Sequence, residues 1–196
     1  MNAIANKVHD CFHDVLAWLY WNGLDANPAK TKLMTFKKQA ANHNHIDDIT
    51  QGLRYIDPVH GPSNIMAMTS LRYLGIYLDQ NLSWANHINI IANYAYFTIH
   101  GINILGNTVR GLDLLNWRKV YNAFIIPILM YRAQVWYTGN GQKGLVHKLS
   151  VAQNKGIHKI VGMFKTTLIE PLHNLLSVLP ISYMLPKLMH TYALRL

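Results

Sequence analysis

The chain has 196 residues, 51% of them hydrophobic and 14% charged, which is enough apolar material for an ordinary core in one domain or two small ones and unlike a disordered tail. Its single cysteine, Cys11, excludes an internal disulfide, and no CxxC or paired Cys/His array offers a structural zinc site. The most apolar run, Ala123–Tyr131, is far shorter than the roughly 18 residues needed to span a bilayer, and the amino end, MNAIANKVHDCFHD, has no signal-peptide stretch, so the expectation is an intracellular protein.

Net charge is +9, and its placement is uneven. From Met1 to Asp113 eight basic and eight acidic residues cancel, whereas Leu114–Ile169 holds Arg118, Lys119, Arg132, Lys143, Lys148, Lys155, Lys159 and Lys165 with no acid. Such a field attracts a polyanion: a nucleic-acid backbone or an anionic membrane surface. A merely solvated helical face is the plain alternative.

In chain order, Ile4, Val8, Phe12, Val15 and Leu19 recur at helical spacing, which predicts an amphipathic helix from Met1 to about Tyr20 with that stripe buried. Trp21-Asn22-Gly23 supplies its stop, Gly23 being able to take the positive φ of a C-cap, and Asn27-Pro28 extends the loop. Lys30–Phe36 reads as a strand. Lys37–Ser70 reads as a hairpin or irregular sheet edge with a turn at Gly61-Pro62-Ser63-Asn64. Leu71–Asp79 alternates and is rich in β-formers, so it reads as a strand in which Gly75 marks a bulge or close approach.

Near Asn81-Leu82 the apolar period changes from two to about 3.6 residues, an architectural boundary. Trp84, Ile88, Ile91, Ala95, Ile99 and Ile102 form one helical stripe, with Ser83 as N-cap. A second helix from Asp113 through Trp117, Val120, Tyr121, Phe124, Ile128 and Tyr131 to about Tyr137 is apolar nearly all round, hence central, and kinked at Pro127. Val146, Leu149, Gln153, Ile157, Ile160 and Phe164 give a third stripe, and Pro180 and Pro186 punctuate shorter terminal helices.

Most familiar chemistry is missing from this pattern. Two-metal phosphoryl transfer needs converging carboxylates, yet the one adjacent pair, Asp47-Asp48, reads as an Asx-rich turn whose neighbours face opposite ways. No GxSxG elbow or glycine-rich phosphate loop occurs, Cys11 and His13 point apart on their helix, and His43 and His45 lack partners at ligand spacing. No metal site is expected. Lys30 follows a helix stop and a fixed turn, which can hold an ammonium group against a phosphate; an exposed lysine at a strand start is the alternative. On the third helix Lys148, Lys155 and Lys159 share a face, with His147 and His158 on an adjoining one, a basic ridge suited to sequence-independent phosphate contacts. Trp84, Tyr94, Phe97, Trp117, Tyr121, Trp136 and Tyr137 can stack on bases, although most lie on apolar stripes and read better as core.

Three blocks carry a resemblance: Trp21-Asn22-Gly23-Leu24-Asp25-Ala26-Asn27-Pro28-Ala29-Lys30 with Thr31–Phe36; Leu71-Arg72-Tyr73-Leu74-Gly75-Ile76-Tyr77-Leu78-Asp79; and the span from Leu82-Ser83-Trp84 through Ile128–Tyr131, Gln153-Asn154-Lys155 and Gly162–Thr167 to Leu179-Pro180-Ile181. In this order they resemble the reverse transcriptases of non-LTR retrotransposons of jockey and fungal type. The resemblance implies an α+β fold: a small antiparallel palm-remnant sheet with one helix and primer-grip strands over 1–80, then a mainly helical thumb and connector over 81–196. It implies that Lys30 sits near the incoming triphosphate in an intact enzyme, that Tyr73, Leu74 and Gly75 place the primer end, and that Arg118, Lys119, Lys148, Lys155 and Lys159 grip an RNA/DNA or DNA duplex. The family's magnesium-binding aspartates precede the first block, so the expectation is a truncated copy lacking fingers and most of the palm, with no cofactor of its own, without polymerase activity, and nuclear. The rivals are a non-enzymatic basic helical module that binds nucleic acid and one that binds a membrane surface or another protein.

Overall fold

Residues 3–27, 29–36, 53–57, 61–102 and 113–195 are described by the computed structural model, whose architecture is α+β. The chain divides into two compact units, Met1–Ser83 and Trp84–Leu196.

In the first unit, helix α1 (Ala3–Trp21) buries Leu16 and half-buries Val8, Phe12 and Leu19, one stripe at steps of four, four and three. Val15, expected on that stripe, is 53% exposed, whereas its neighbour Leu16 is 7% exposed; a step of three from Phe12 reaches the edge of the face and a step of four its centre. The helix ends in a Schellman cap: Gly23 has φ 67°, its N–H donates to the Tyr20 carbonyl (3.0 Å) and the Leu24 N–H to that of Leu19 (2.9 Å).

Asn27 organises the next segment. Its carbonyl accepts from the N–H groups of Lys30 (3.0 Å) and Thr31 (3.1 Å) and from the Thr31 hydroxyl, while its side-chain oxygen accepts from the Ala29 N–H. Lys30 therefore stands in a turn, and the strand expected over Lys30–Phe36 is reduced to a parallel bridge from Leu33 to Ala67, with the Met68 N–H donating to the Leu33 carbonyl (2.9 Å). β-Forming side chains make a strand only where a partner edge is offered along their length.

Two antiparallel hairpins follow. Strands β1 (Leu53–Asp57) and β2 (Gly61–Ile65) pair from Leu53 opposite Ile65 to Asp57 opposite Gly61. The expected turn Gly61–Asn64 is thus strand; both strands of a two-stranded ribbon are edges, and an edge tolerates Pro62. Residues 37–52 and 58–60, with His43, His45 and Asp47-Asp48, lie outside the described residues. Strands β3 (Ser70–Tyr73) and β4 (Ile76–Asp79) split the single strand expected over Leu71–Asp79. Leu74 and Gly75 have φ 47° and 83°, the two positive values of a type I′ hairpin turn, so Gly75 reverses the chain and makes no bulge. Leu16 and Ile65, backed by Phe12, Ala26 and Leu33, form this unit's buried cluster.

Ser83 gives its N–H (2.7 Å) and its hydroxyl to the Asp79 carboxylate; Trp84, at φ 62°, holds the position before helix α2 that Ser83 was expected to cap. In the second unit α2 (Ala85–Ile102) buries Ile88, Ile91, Ala95 and Ile99, the expected stripe, together with His87. The expected kinked helix is broken into α3 (Leu114–Val120), a π-helical turn (Tyr121–Ile125), α4 (Ile126–Leu129) and α5 (Ala133–Trp136). The wide turn directly precedes Pro127, where the Ile126 N–H reaches back five residues to the Tyr121 carbonyl; a proline lacks an N–H and crowds the preceding turn. Trp117, Tyr121, Ile125, Leu129, Ala133 and Trp136 are buried. Steps of four drift by about 40° each on an α-helix, and the wide turn offsets that drift. The segment is not buried all round: Phe124 is 58% exposed, and Leu115, Tyr131 and Val135 are exposed too.

Helix α6 (Lys143–Val161) buries Leu149, Gln153 and Ile157 and stops at Gly162, φ 70°. Phe164, expected to continue that stripe, lies past the stop and is 84% exposed. Helices α7 (Ile169–Leu176) and α8 (Ile181–Ala193) complete the unit; Pro180 precedes α8, whereas Pro186 lies inside it. Gln153 joins these elements from full burial: its amide donates to the Leu179 carbonyl (2.9 Å) and accepts from the Ile181 N–H (2.7 Å). The buried Tyr121 phenol is pushed well above its usual pKa by burial, the neighbouring Gln153 side chain pulling part of the way back.

Candidate nucleic-acid interface

The site is built where α2 and α6 pack. Lys148 donates to the Asn89 side-chain oxygen (3.0 Å), the Lys155 ammonium stands 6.0 Å from the centroid of the Tyr96 ring, and the Lys159 ammonium meets the His100 imidazole. Each pair is offset by the same 59 residues, so the helices run parallel and in register, and the lysine face of α6 is its seam with α2. Gly156 makes the close approach possible: a Cβ there would lie 2.5 Å from the Ile99 Cδ1 atom.

Toward the carboxyl ends of both helices the seam opens into a groove of about 760 Å³. Its lining comprises Tyr96 and His100 from α2, Val151, Asn154, Lys155, His158 and Lys159 from α6, and Met163 and Lys165 from the segment beyond. Three ammonium groups and two imidazoles face this space, and among the described residues its lining has no carboxylate. The Tyr96 and His100 rings meet edge-on with centroids 4.4 Å apart. Asn154 is held from behind by His173, whose Nε2 lies 3.3 Å from the Asn154 side-chain oxygen and whose Nδ1 lies 2.9 Å from the Val178 carbonyl. His158 buries its Nδ1 without a hydrogen-bond partner. Such a groove attracts anions by charge and offers hydrogen-bond donors and one aromatic surface.

Of the sequence-derived candidates, Lys155, Lys159 and His158 come together in the groove, and Lys148 lies on the same seam outside its lining. Arg118 and Lys119 are exposed on α3 and do not line it. In the other unit, Lys30 is exposed in the Asn27 turn, and Tyr73 and Leu74 are exposed at the tip of the β3–β4 hairpin with Gly75. Sequence reasoning missed Tyr96, His100, Asn154, Met163 and Lys165. A signal for two of them existed: Tyr96 and His100 repeat on α2 the four-residue spacing of Lys155 and Lys159 on α6. Among the candidate stacking aromatics, Trp117, Tyr121 and Trp136 are buried, Trp84 and Tyr137 half-buried, and Tyr94 and Phe97 exposed.

Among the described residues no group of three His, Cys, Asp or Glu side chains could hold a metal ion, and no helix is long and apolar enough to cross a membrane. Cys11 is free and exposed.

No protein-family model matches the chain, and no solved structure matches it. It is 24% identical over 164 residues to the probable RNA-directed DNA polymerase from transposon BS of Drosophila melanogaster, a match covering 81% of this chain and 16% of that protein. It is 32% identical over 91 residues to the RNA-directed DNA polymerase from mobile element jockey of Drosophila funebris, covering 46% of this chain and 10% of that one. The chain thus spans about a sixth or less of the curated relatives it matches, and it is similar to the reverse transcriptases of transposable elements.

Proposed function

We propose that the chain is the duplex-holding part of a non-LTR retrotransposon reverse transcriptase, residues 1–80 serving as palm edge and primer grip and residues 81–196 as thumb and connector. The observation that carries this reading is the carboxylate-free groove with Lys155, Lys159 and Lys165 on its walls, in a chain whose relatives are named RNA-directed DNA polymerases. Charged side chains along α6, beside the polar and aromatic groups of α2, contact a phosphate backbone without reading bases, which is what a polymerase needs of the part that holds its product. Lys30 is assigned to the incoming triphosphate and the exposed tip Tyr73-Leu74-Gly75 to the primer end, with Arg118 and Lys119 as outlying phosphate contacts.

Magnesium belongs, on this reading, to the intact enzyme. The described residues do not fit it, because their carboxylates do not gather with other donors, and the chain is assigned binding without polymerisation. Without a metal clamp on the transferring phosphoryl group, positioning does not supply the chemistry.

Binding to a labelled RNA/DNA hybrid is measured from about 50 to 200 mM salt. Affinity falls steeply, and replacing Lys148, Lys155 and Lys159 by Ala flattens the log–log slope by about two to three, near 0.9 for each phosphate that is no longer neutralised. Preference for anionic vesicles over the hybrid at matched salt would replace this reading with a membrane-surface module. Primer extension by the chain with magnesium and deoxynucleotides, above that of Lys30→Ala, would refute the assignment of binding without catalysis.

A further inference from the structure

We infer that the groove takes a single unpaired nucleotide, its base against the Tyr96 ring and its phosphate among Lys155, Lys159 and Lys165, so that the chain prefers a nucleic-acid end with unpaired bases to a blunt duplex. The inference rests on the binding reading above and sharpens its ligand. Phosphates alone need cations and donors, and a ridge of lysines on a convex helix face would serve them. This groove is concave, and it sets Tyr96, Val151 and Met163 beside its ammonium groups. An apolar wall next to cations suits a ligand with a flat apolar part and an anionic part, which describes a nucleotide.

Three observations support the fit. The volume of about 760 Å³ lies within the roughly 300–1,000 Å³ of small-ligand sites, so a duplex would rest its backbone across the mouth while a single nucleotide enters. The Tyr96 ring has close neighbours: His100 meets it edge-on at 4.4 Å between centroids and the Lys155 ammonium stands 6.0 Å from its centre, a cation and an aromatic surface presented together. Asn154, steadied by His173, supplies both a donor and an acceptor for the edge of a base. Among the described residues no carboxylate of the lining opposes the phosphate.

The test compares three fluorescent ligands on the full chain at one salt concentration: a blunt RNA/DNA hybrid, the same hybrid with a short unpaired overhang, and the overhang strand alone. The overhang hybrid binds more tightly than the blunt one by about five- to a hundredfold, the range expected for one stacked base. Tyr96→Ala removes that difference, while Tyr96→Phe keeps it. Should Tyr96→Ala fail a circular-dichroism check of folding, Tyr96→Leu, which keeps apolar bulk without an aromatic face, produces the same loss of the difference. Equal affinity for blunt and overhang hybrids overturns the inference and leaves backbone binding intact, as does a Tyr96→Ala or Tyr96→Leu loss that is equal for both. Binding to none of the three overturns both readings.

Discussion

The two units solve the problem of burying apolar surface to very different extents. In Trp84–Leu196 helices contribute to one continuous core in which Ile88, Leu129, Ala133, Trp136, Leu149, Ile157, Ile181 and Leu185 are fully buried. In Met1–Ser83 the described cluster is Leu16 and Ile65 with three partly buried neighbours, while Trp18, Tyr20, Trp21 and Leu24 stand exposed on and just after α1. Each fully buried Leu or Ile contributes about 1.5–3 kcal/mol, so the second unit has a packing reserve that the first does not match. The groove lies on the helical unit, where a seam of two packed helices holds its lining in place better than paired hairpins would.

Hydrogen exchange gives the sharpest test of this contrast. Amides of Phe124–Tyr131, whose Ile125 and Leu129 side chains lie in the core, are expected to exchange slower than those of Lys30–Phe36 by about a thousandfold or more, since the former open only with the core and the latter rest on a turn and a bridge. Equal protection would mean that the first unit is as stable as the second and would remove the contrast.

Core truncation measures the same difference one side chain at a time. Trp136→Ala empties a fully buried site, whose indole N–H donates to the Tyr131 carbonyl (3.2 Å), and costs the second unit about 3–5 kcal/mol in denaturant unfolding. Leu16→Ala costs near the 2 kcal/mol floor of the Leu→Ala range, because few buried neighbours surround the side chain that is cut back. A Leu16→Ala loss as large as that of Trp136→Ala would show a core in the first unit that its described residues do not display.

The same contrast explains what the sequence made legible. Long periodic stripes hold in the folded chain: Ile88, Ile91, Ala95 and Ile99 fall where a 3.6 period puts them, because packing on one face and helix propensity agree. Errors cluster where a local backbone device overrides the pattern. The Asn27 turn consumes the start of the expected strand, positive φ at Leu74 and Gly75 folds one alternating run into two strands, and Pro127 forces a five-residue reach. The reversal shifts the side-chain phase by one residue, so that Leu71 and Tyr73 share a face with Ile76 and Leu78, and a run read as one strand hides that break.

The candidate site was half legible. Charge counting located the acid-free segment, and helical spacing put Lys148, Lys155 and Lys159 on one face, yet neither can tell what faces that side. The answer lies 59 residues earlier in the chain, on a helix with hardly any charge, and becomes visible only once α2 and α6 are known to run parallel. Lys165 escaped for another reason: it follows the Gly162 stop, and spacing along a helix says nothing of residues beyond its cap.

Acidity gives the comparison a further, smaller axis. His87 is buried in the second unit, where burial holds its imidazole below the usual pKa and a hydrogen bond with the Tyr131 backbone offsets part of that effect. Above the unfolded value near 6.5 both states leave the ring neutral, and the second unit keeps its full stability. As pH falls below that value the unfolded chain binds the proton and the folded unit resists it, so stability declines on acidification until the folded pKa is passed. His87→Gln, which keeps hydrogen-bonding capacity without a titrating ring, is expected to lower stability at neutral pH through imperfect packing and to flatten its decline below about pH 6.5. Denaturant titrations of both proteins across that range read out the difference in slope. An identical decline in the variant would place the acid sensitivity elsewhere and show that the buried imidazole is protonated at no cost to the core.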